Sequence, residues 1–492
     1  MTPVILAFFF ASSSPYAEIR VVDQSGRGVP LVELETVNHQ IFVTDNAGRV
    51  AFHEPGLMGS EVFFHVRSHG YEVKKDGFGI GGAKVTPVAN RTVEIRVKCT
   101  QLAERMCRLT GEGLYRDSQL LGYPAPQFHP GVAGQDSVQT AMYKGRRIWL
   151  WGDTNRMSYP LGHYRTAGAW SSPFDKTFDP SHGINFDYVR DKGNIKAMMP
   201  MKEHPEGVVW LDGLCTVKDE NNEDKLVAHY SRRKGLAEQL EHGIAVYDDD
   251  KGVFESAKVL KADDWRHPHG HAIPPEDLIK DPQDKFKDVK YIAFGNPFTN
   301  VRVPASLQAI LDPNQYESFT MLSKNGQPGI DWQWQRMLPP GDPKQEDLWH
   351  RSLQIKSIKP RYLPKDAADE LKTIQMYNGT VRWNNYRKCW IMLAGQIGGS
   401  TSHLGEVWYS EATESTGPFT KAVKVATHNK QTFYNVCHHP FLDQDDGRTI
   451  FFEGTYTEEF SGSHHFTPRY DYNQVLYKLV LSSPELLPAR VR

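Results

Sequence analysis

Hairpin units that recur through most of the chain constrain its fold more than any other feature. They read SVQTAMY-KG-RRIWLWGDT over 137–154, GLCTVKD-ENNED-KLVAHYS over 213–231, KYIAFGN over 290–296, GTVRW-NNYRK-CWIMLAGQ over 379–396 and VCHHPFLD-QDDG-RTIFFEGTY over 436–456. Strand runs separated by turn residues at a roughly even pitch predict a β-propeller. The units average roughly 70 residues each, against about 40 to 50 for a four-stranded blade, so five blades carrying long loops are expected. The fold class is therefore all-β.

Ahead of the hairpins, residues 18–98 alternate short β-rich runs with turn signals such as Gln24-Ser25-Gly26-Arg27-Gly28 and Asp45-Asn46-Ala47-Gly48, the pattern of a small accessory β-sandwich. Residues 99–130 form a connector in which 101–109 looks helical, and 131–485 hold the propeller. Residues 1–17 read as an export signal, with Val4 to Phe10 apolar and small residues after them, which predicts a secreted or periplasmic protein. No later stretch is long and apolar enough for an integral membrane segment. Lys+Arg 57 against Asp+Glu 59 gives a net charge of −2 and argues against a nucleic-acid partner. Of the five Cys, Cys99 and Cys107 are close enough to close a small disulfide loop, whereas Cys215, Cys389 and Cys437 sit in strand-like runs and read as buried thiols.

The first hairpin carries the chemistry. With Lys144-Gly145 as a two-residue turn, antiparallel pairing sets Asp136 directly across from Asp153. Directly opposed Cβ atoms lie roughly 4.5–5.5 Å apart, so repulsion should leave one carboxyl protonated and the other ionised. An acid beside a base is what glycosidic cleavage requires. Asp212 and Glu406 are further acids expected near the propeller axis, either of which would tune the pair. In the last unit a turn at Asp445-Asp446 places His438 opposite Glu453, so that Tyr434, Asn435, His438, His439 and Glu453 would line the same mouth and contact sugar hydroxyls. Trp151, His163, Arg165, Asn378 and Arg382 complete the expected substrate contacts, with Arg382 a neutraliser for an acidic sugar. His267, His269 and His271 alternate within a Pro- and Gly-containing stretch read as a surface loop, and no metal ligand is assigned. No cofactor is called for beyond a structural cation that a propeller axis can hold.

Two resemblances add to this. The Val-x-Asp-x-x-Gly-x-x-Val-Pro text from Val21 to Pro30, followed by Thr44-Asp45-x-x-Gly48, resembles the carboxypeptidase-regulatory-like sandwich. Gly134-Gln135-Asp136-Ser137 with Trp149-Leu150-Trp151-Gly152-Asp153-Thr154 resembles the opening blade of five-bladed propellers of glycoside hydrolase families 43 and 183, the latter including endo-acting D-arabinofuranosidases. That resemblance implies a catalytic role for Asp136 and Asp153. Glu406 to Ala412, with Gly417-Pro418-Phe419 after it, is similar to later text in family 43-like propellers. The expected function is a glycoside hydrolase on a polysaccharide or oligosaccharide. The alternatives are a polysaccharide lyase using His163, Tyr164 or His438 on a uronic acid, and a non-catalytic glycan binder.

Overall fold

The structure, a computed structural model, describes residues 14–125, 129, 131–163, 165–281, 289–355 and 358–491, with the side chains of 159–163 outside that description. The apolar run read as an export signal lies outside the described residues through position 13, while Ala17, its last residue, opens strand Ala17–Val22 and is fully buried. The chain forms two compact units, one of residues 1–100 and 113–127, the other of 101–112 and 128–492.

The first unit is a β-sandwich. Strands Arg49–Phe52, Ala17–Val22 and Thr92–Arg96 make one sheet, and Ile41–Val43, Glu33–Thr36, Val62–Arg67 and Gly82–Val85 make the other. The turn signals work through their carboxylates: Asp23 accepts the N–H groups of Ser25 and Arg27, and Asp45 those of Ala47 and Arg49. Alternation then turns Ile19, Val21, Leu34, Phe52, Phe64 and Ile95 into one core. Each such side chain, fully buried, contributes roughly 1.5–3 kcal/mol.

The second unit is a β-propeller. It holds five sheets of four or more strands, each with an inner edge strand, in chain order Gln139–Tyr143, Val208–Lys218, His271–Ile273, Met376–Asn384 and Thr432–His438. The apolar clusters sit between neighbouring sheets rather than within one. Ile148 and Leu150 of the first sheet pack with Leu211 and Tyr230 of the second, and Val217 and Val227 of the second with Phe294 and Val301 of the third. Ala293 and Phe319 of the third meet Trp390 and Met392 of the fourth, and Leu476 and Phe451 of the fifth meet Trp149 and Trp151 of the first. Sheets that bury both faces against neighbours read as the near-continuous apolar runs seen in 148–151 and 389–394.

Two expectations change. The segment expected to be helical supplies strand Glu104–Arg108, which pairs antiparallel with Asn473–Val480 as the outer strand of the fifth sheet and closes the ring. The only helix in that connector among the described residues is Arg116–Leu120, in the first unit. No disulfide joins Cys99 and Cys107: Cys107 is buried in the propeller core and Cys99 packs against the sandwich core, so each is held by a different hydrophobic cluster. Cys215, Cys389 and Cys437 are buried free thiols, as expected.

Candidate active site

The first hairpin folds in the anticipated register. Lys144 and Gly145 both take left-handed backbone, at φ 47° and 78°, as a two-residue hairpin turn of the primed type needs. Tyr143 then opposes Arg146, Gln139 opposes Leu150, and Gln135 opposes Thr154 in the continuing strands. Asp136 accordingly lies against Asp153: the Asp136 amide donates to the Asp153 carbonyl at 3.2 Å, and the Asp153 amide donates to Asp136 Oδ1 at 2.7 Å. Gly152 makes this approach possible, since a Cβ there would stand 2.8 Å from Asp136 Oδ1.

The inner strands bend where polar side chains gather. Ser137, Gly213 and Asn435, each following Asp136, Asp212 or Tyr434, have φ of 58°, 62° and 53°. Pairing registers shift between Asp212 and Cys215, between Tyr434 and Cys437, and between Met376 and Gly379. Such bulges re-aim side chains out of the strand alternation. Hydrogen bonds link the sheets' inner ends in a ring: Asn378 donates to Asn435, Asn435 to Ser137, the Trp210 indole to Asp153, the Gly213 amide to the Gly270 carbonyl, and the Gly379 amide to Asn296.

The two aspartates differ in their surroundings. Asp136 accepts from the Tyr434 hydroxyl at 2.7 Å as well as from the Asp153 amide, with Ser137 and Tyr472 as further donors. Burial raises its carboxyl above the usual range, and these hydrogen bonds oppose the rise. Asp153 is pushed up to about 7, first by burial and then by the Asp136 charge, against the Trp210 indole N–H that donates to its Oδ1 at 2.8 Å. Glu459, exposed beside them, is also raised, by desolvation and then by the Asp136 charge. Both aspartates keep part of their surface open, and two aromatic groups border them: half-buried Trp210, and Phe460, which is 56% exposed and meets Tyr434 edge-on at 6.2 Å.

Tyr434, Asn435 and Asn378 therefore stand where the sequence placed them, at the ring. Other expected contacts do not. Trp151 is fully buried against Phe186 and Tyr188 in the core between sheets. Glu406 begins the third strand of the fourth sheet, not its inner one, and is buried on Thr401 and Lys424. The fifth-sheet hairpin is out of the expected register, with Cys437 opposite Glu453 and His438 opposite Phe452, because the single-turn helices Pro440–Leu442 and Asp445–Gly447 replace a tight turn. His438 bonds to Asp443 at 2.9 Å and His439 to Glu453 at 2.6 Å, all four side chains largely or fully buried. Burial lifts the Glu453 carboxyl to about 8. Arg382 donates to the Ala272 and Val381 carbonyls. Arg165 is half-buried just before strand Ala167–Ser171; the His163 side chain and Tyr164 lie outside the described residues.

Asp212 belongs to a separate group. Desolvation pulls its carboxyl up, but the His229 and His267 imidazoles and the Gly270 amide bring it down to about 2, so it is an ionised acceptor. The stretch read as a surface loop is drawn inward here: His271 opens a strand and is buried, and the His267 ring stacks on His229.

Sequence reading missed Trp210, Tyr472, Ser137 and Glu459. Trp210 had a local signal, since residues two apart on a strand share a face and Asp212 was already singled out. Glu459 and Tyr472 follow and precede the last two strands, and only the ring brings them to Asp136.

No protein-family model matches the chain, and no curated protein matches it by sequence. Among solved structures, it is similar to an exo-beta-1,3-galactanase from Phanerochaete chrysosporium, at 7% identity over 77% of this chain and 64% of that one, TM-score 0.35. It is also similar to a family 43 glycoside hydrolase protein from Bacillus licheniformis, at 11% identity over 71% of this chain and 72% of that one, TM-score 0.33. A GH43_1 enzyme from Xanthomonas citri shares 8% identity over 70% of this chain and 88% of that one, TM-score 0.33. At these scores the functional reading rests on the chemistry of the site alone.

Proposed function

We propose that this chain is an exported glycoside hydrolase acting on a polysaccharide or oligosaccharide, its five large sheets forming the blades around the site. The observation that carries the reading is the juxtaposed pair Asp136 and Asp153, with Asp153 pushed up to about 7. Near neutral pH, Asp153 retains a proton to give to the leaving glycosidic oxygen, while Asp136, supplied with four donors, holds the negative charge that serves as base or nucleophile. The bordering faces of Trp210 and Phe460 suit a sugar ring, which presents apolar C–H faces between its hydroxyls.

The test is hydrolysis of a panel of neutral and uronate-containing polysaccharides, reading reducing ends and ultraviolet-absorbing unsaturated products together. New reducing ends without unsaturation, abolished in both Asp136→Asn and Asp153→Asn variants that retain the fold, are expected. Full activity in both variants, or unsaturated products, would sink the assignment.

A further inference from the structure

Three histidines on the second sheet and the segment beside it converge in a manner the hydrolytic chemistry does not use. His229 lies on strand Asp224–Lys234 and His242 on Glu238–Asp248; because His229 pairs with Ile244, His242 is its diagonal neighbour on the same face. His267 arrives from the segment before strand His271–Ile273. One ring nitrogen from each lies within 4.8 Å of the others.

The outer nitrogens of all three rings are taken. His229 Nδ1 meets Asp212 Oδ1 at 2.7 Å, His242 Nε2 meets the Lys261 carbonyl at 2.5 Å, and His267 Nδ1 meets the Pro268 carbonyl at 2.6 Å. Carbonyl and carboxylate oxygens only accept, so each of these nitrogens carries the proton. In neutral imidazoles the inner nitrogens are then lone pairs, and His229 Nε2 faces His242 Nδ1 at 3.1 Å, a contact that needs a proton or a cation between the two. A metal cation meets that need. Outer N–H groups held by a carboxylate or backbone carbonyl are also the arrangement that orients imidazoles around a metal.

We propose that His229, His242 and His267 bind one divalent first-row transition metal ion, of the class represented by zinc. Metal–nitrogen bonds of about 2.0–2.1 Å in a tetrahedron place ligand nitrogens roughly 3.4 Å apart, close to the 3.1 Å separation of the first two. The His267 ring lies over His229 at 3.9 Å and 17° from parallel, so binding requires it to tilt toward the other two; it is only half-buried and lies in the loop between strands Val253–Val259 and His271–Ile273, which permits the turn. Asp212, which orients His229, lies two residues from Trp210 on the same face of one strand, so the ion would anchor the strand end that touches Asp153.

The full-length, untagged protein is stripped with chelator, reloaded with Zn²⁺ or Co²⁺, desalted, and measured by elemental analysis and visible absorption. One equivalent per chain is expected, with ligand-field bands of tetrahedral Co²⁺ and a higher melting temperature than the stripped protein. His242→Ala and the half-exposed His267→Ala should each lose the equivalent and the bands, while His204→Ala, outside the cluster, keeps them. His267→Ala guards against a folding artefact, its melting temperature being compared with the stripped parent. Metal below one-tenth of an equivalent in the parent, or full loading of both cluster variants, overturns the proposal.

Discussion

Tyr434 donates its hydroxyl to Asp136 Oδ2 at 2.7 Å, joining the inner strand of the last sheet to the mouth of the first hairpin. The bond favours the ionised form of a carboxyl that burial otherwise pushes toward protonation. Removing it in Tyr434→Phe should raise the Asp136 carboxyl further. A hydrogen bond to a charged group is worth about 1.5–3 kcal/mol, and about 1.4 kcal/mol corresponds to one pKa step, so the acid limb of the activity profile should move up by roughly one pH unit or more. A pH–rate profile of the variant with its fold checked by circular dichroism measures this; an unmoved acid limb would remove Asp136 from the ionised role.

The parent profile should be bell-shaped. Activity needs Asp153 protonated and Asp136 ionised, so it should decline as pH rises through about 7 and, on the other side, as pH falls through an acid limb above the ordinary carboxylate range. Trp210→Phe deletes a donor that favours ionised Asp153. Its alkaline limb should therefore shift to higher pH, by the same loss of a donor that moves the acid limb in Tyr434→Phe.

Stability should respond to Asp153 as well. Its carboxyl titrates at about 7 in the folded chain against 3.8 for an unperturbed aspartate. Between those values the folded state binds more protons than the unfolded one, so this group's contribution falls as pH rises from about 4 to 7 and is flat above. Asp153→Asn removes that penalty. Thermal melts should show the variant gaining on the parent as pH is raised from 4 to 7, by up to a few degrees, while it has no activity; equal melting curves at every pH would contradict the burial described.

Gly152→Ala places a methyl carbon 2.8 Å from Asp136 Oδ1. The carboxylate must yield by several tenths of an ångström, and misplacement of a reacting group on the order of 1 Å costs about a hundredfold in rate. We expect a loss of kcat of about that order with little change in denaturation midpoint.

Trp151 gives the converse result. Buried between the first and fifth sheets, its replacement by Ala should cost about 3–5 kcal/mol in a urea titration, with catalysis per folded molecule nearly intact.

The contrast among these residues shows what the sequence could carry. The Asp136–Asp153 opposition was legible because a two-residue turn fixes register by counting, and Lys144-Gly145 is such a turn. The same counting failed by one residue at Glu453, where helical turns at Pro440–Leu442 and Asp445–Gly447 lengthen the connection. A slip of one changes every partner, so His438 meets Phe452 instead of Glu453 and bonds to Asp443. Trp151 follows strand alternation into the core, and the burial of Glu406 depends on its being third in its sheet, a property of strand order. The sandwich announced itself through Asp-centred turns, which are local. The histidine triad was half visible in 267–271, but its partners come from two other strands and no spacing rule links them.

The strand Glu104–Arg108 sealing the ring has a consequence for how the protein is made. It leaves the ribosome more than 360 residues before its partner Asn473–Val480, so throughout synthesis the growing propeller is an open crescent with unpaired edges at both ends. Tyr434, Phe460 and Tyr472 come from the last section of chain to emerge. Asp136 therefore acquires its two tyrosine donors only when the crescent shuts, and a chain stalled before that point would carry the aspartates without the hydroxyls that favour the ionised Asp136.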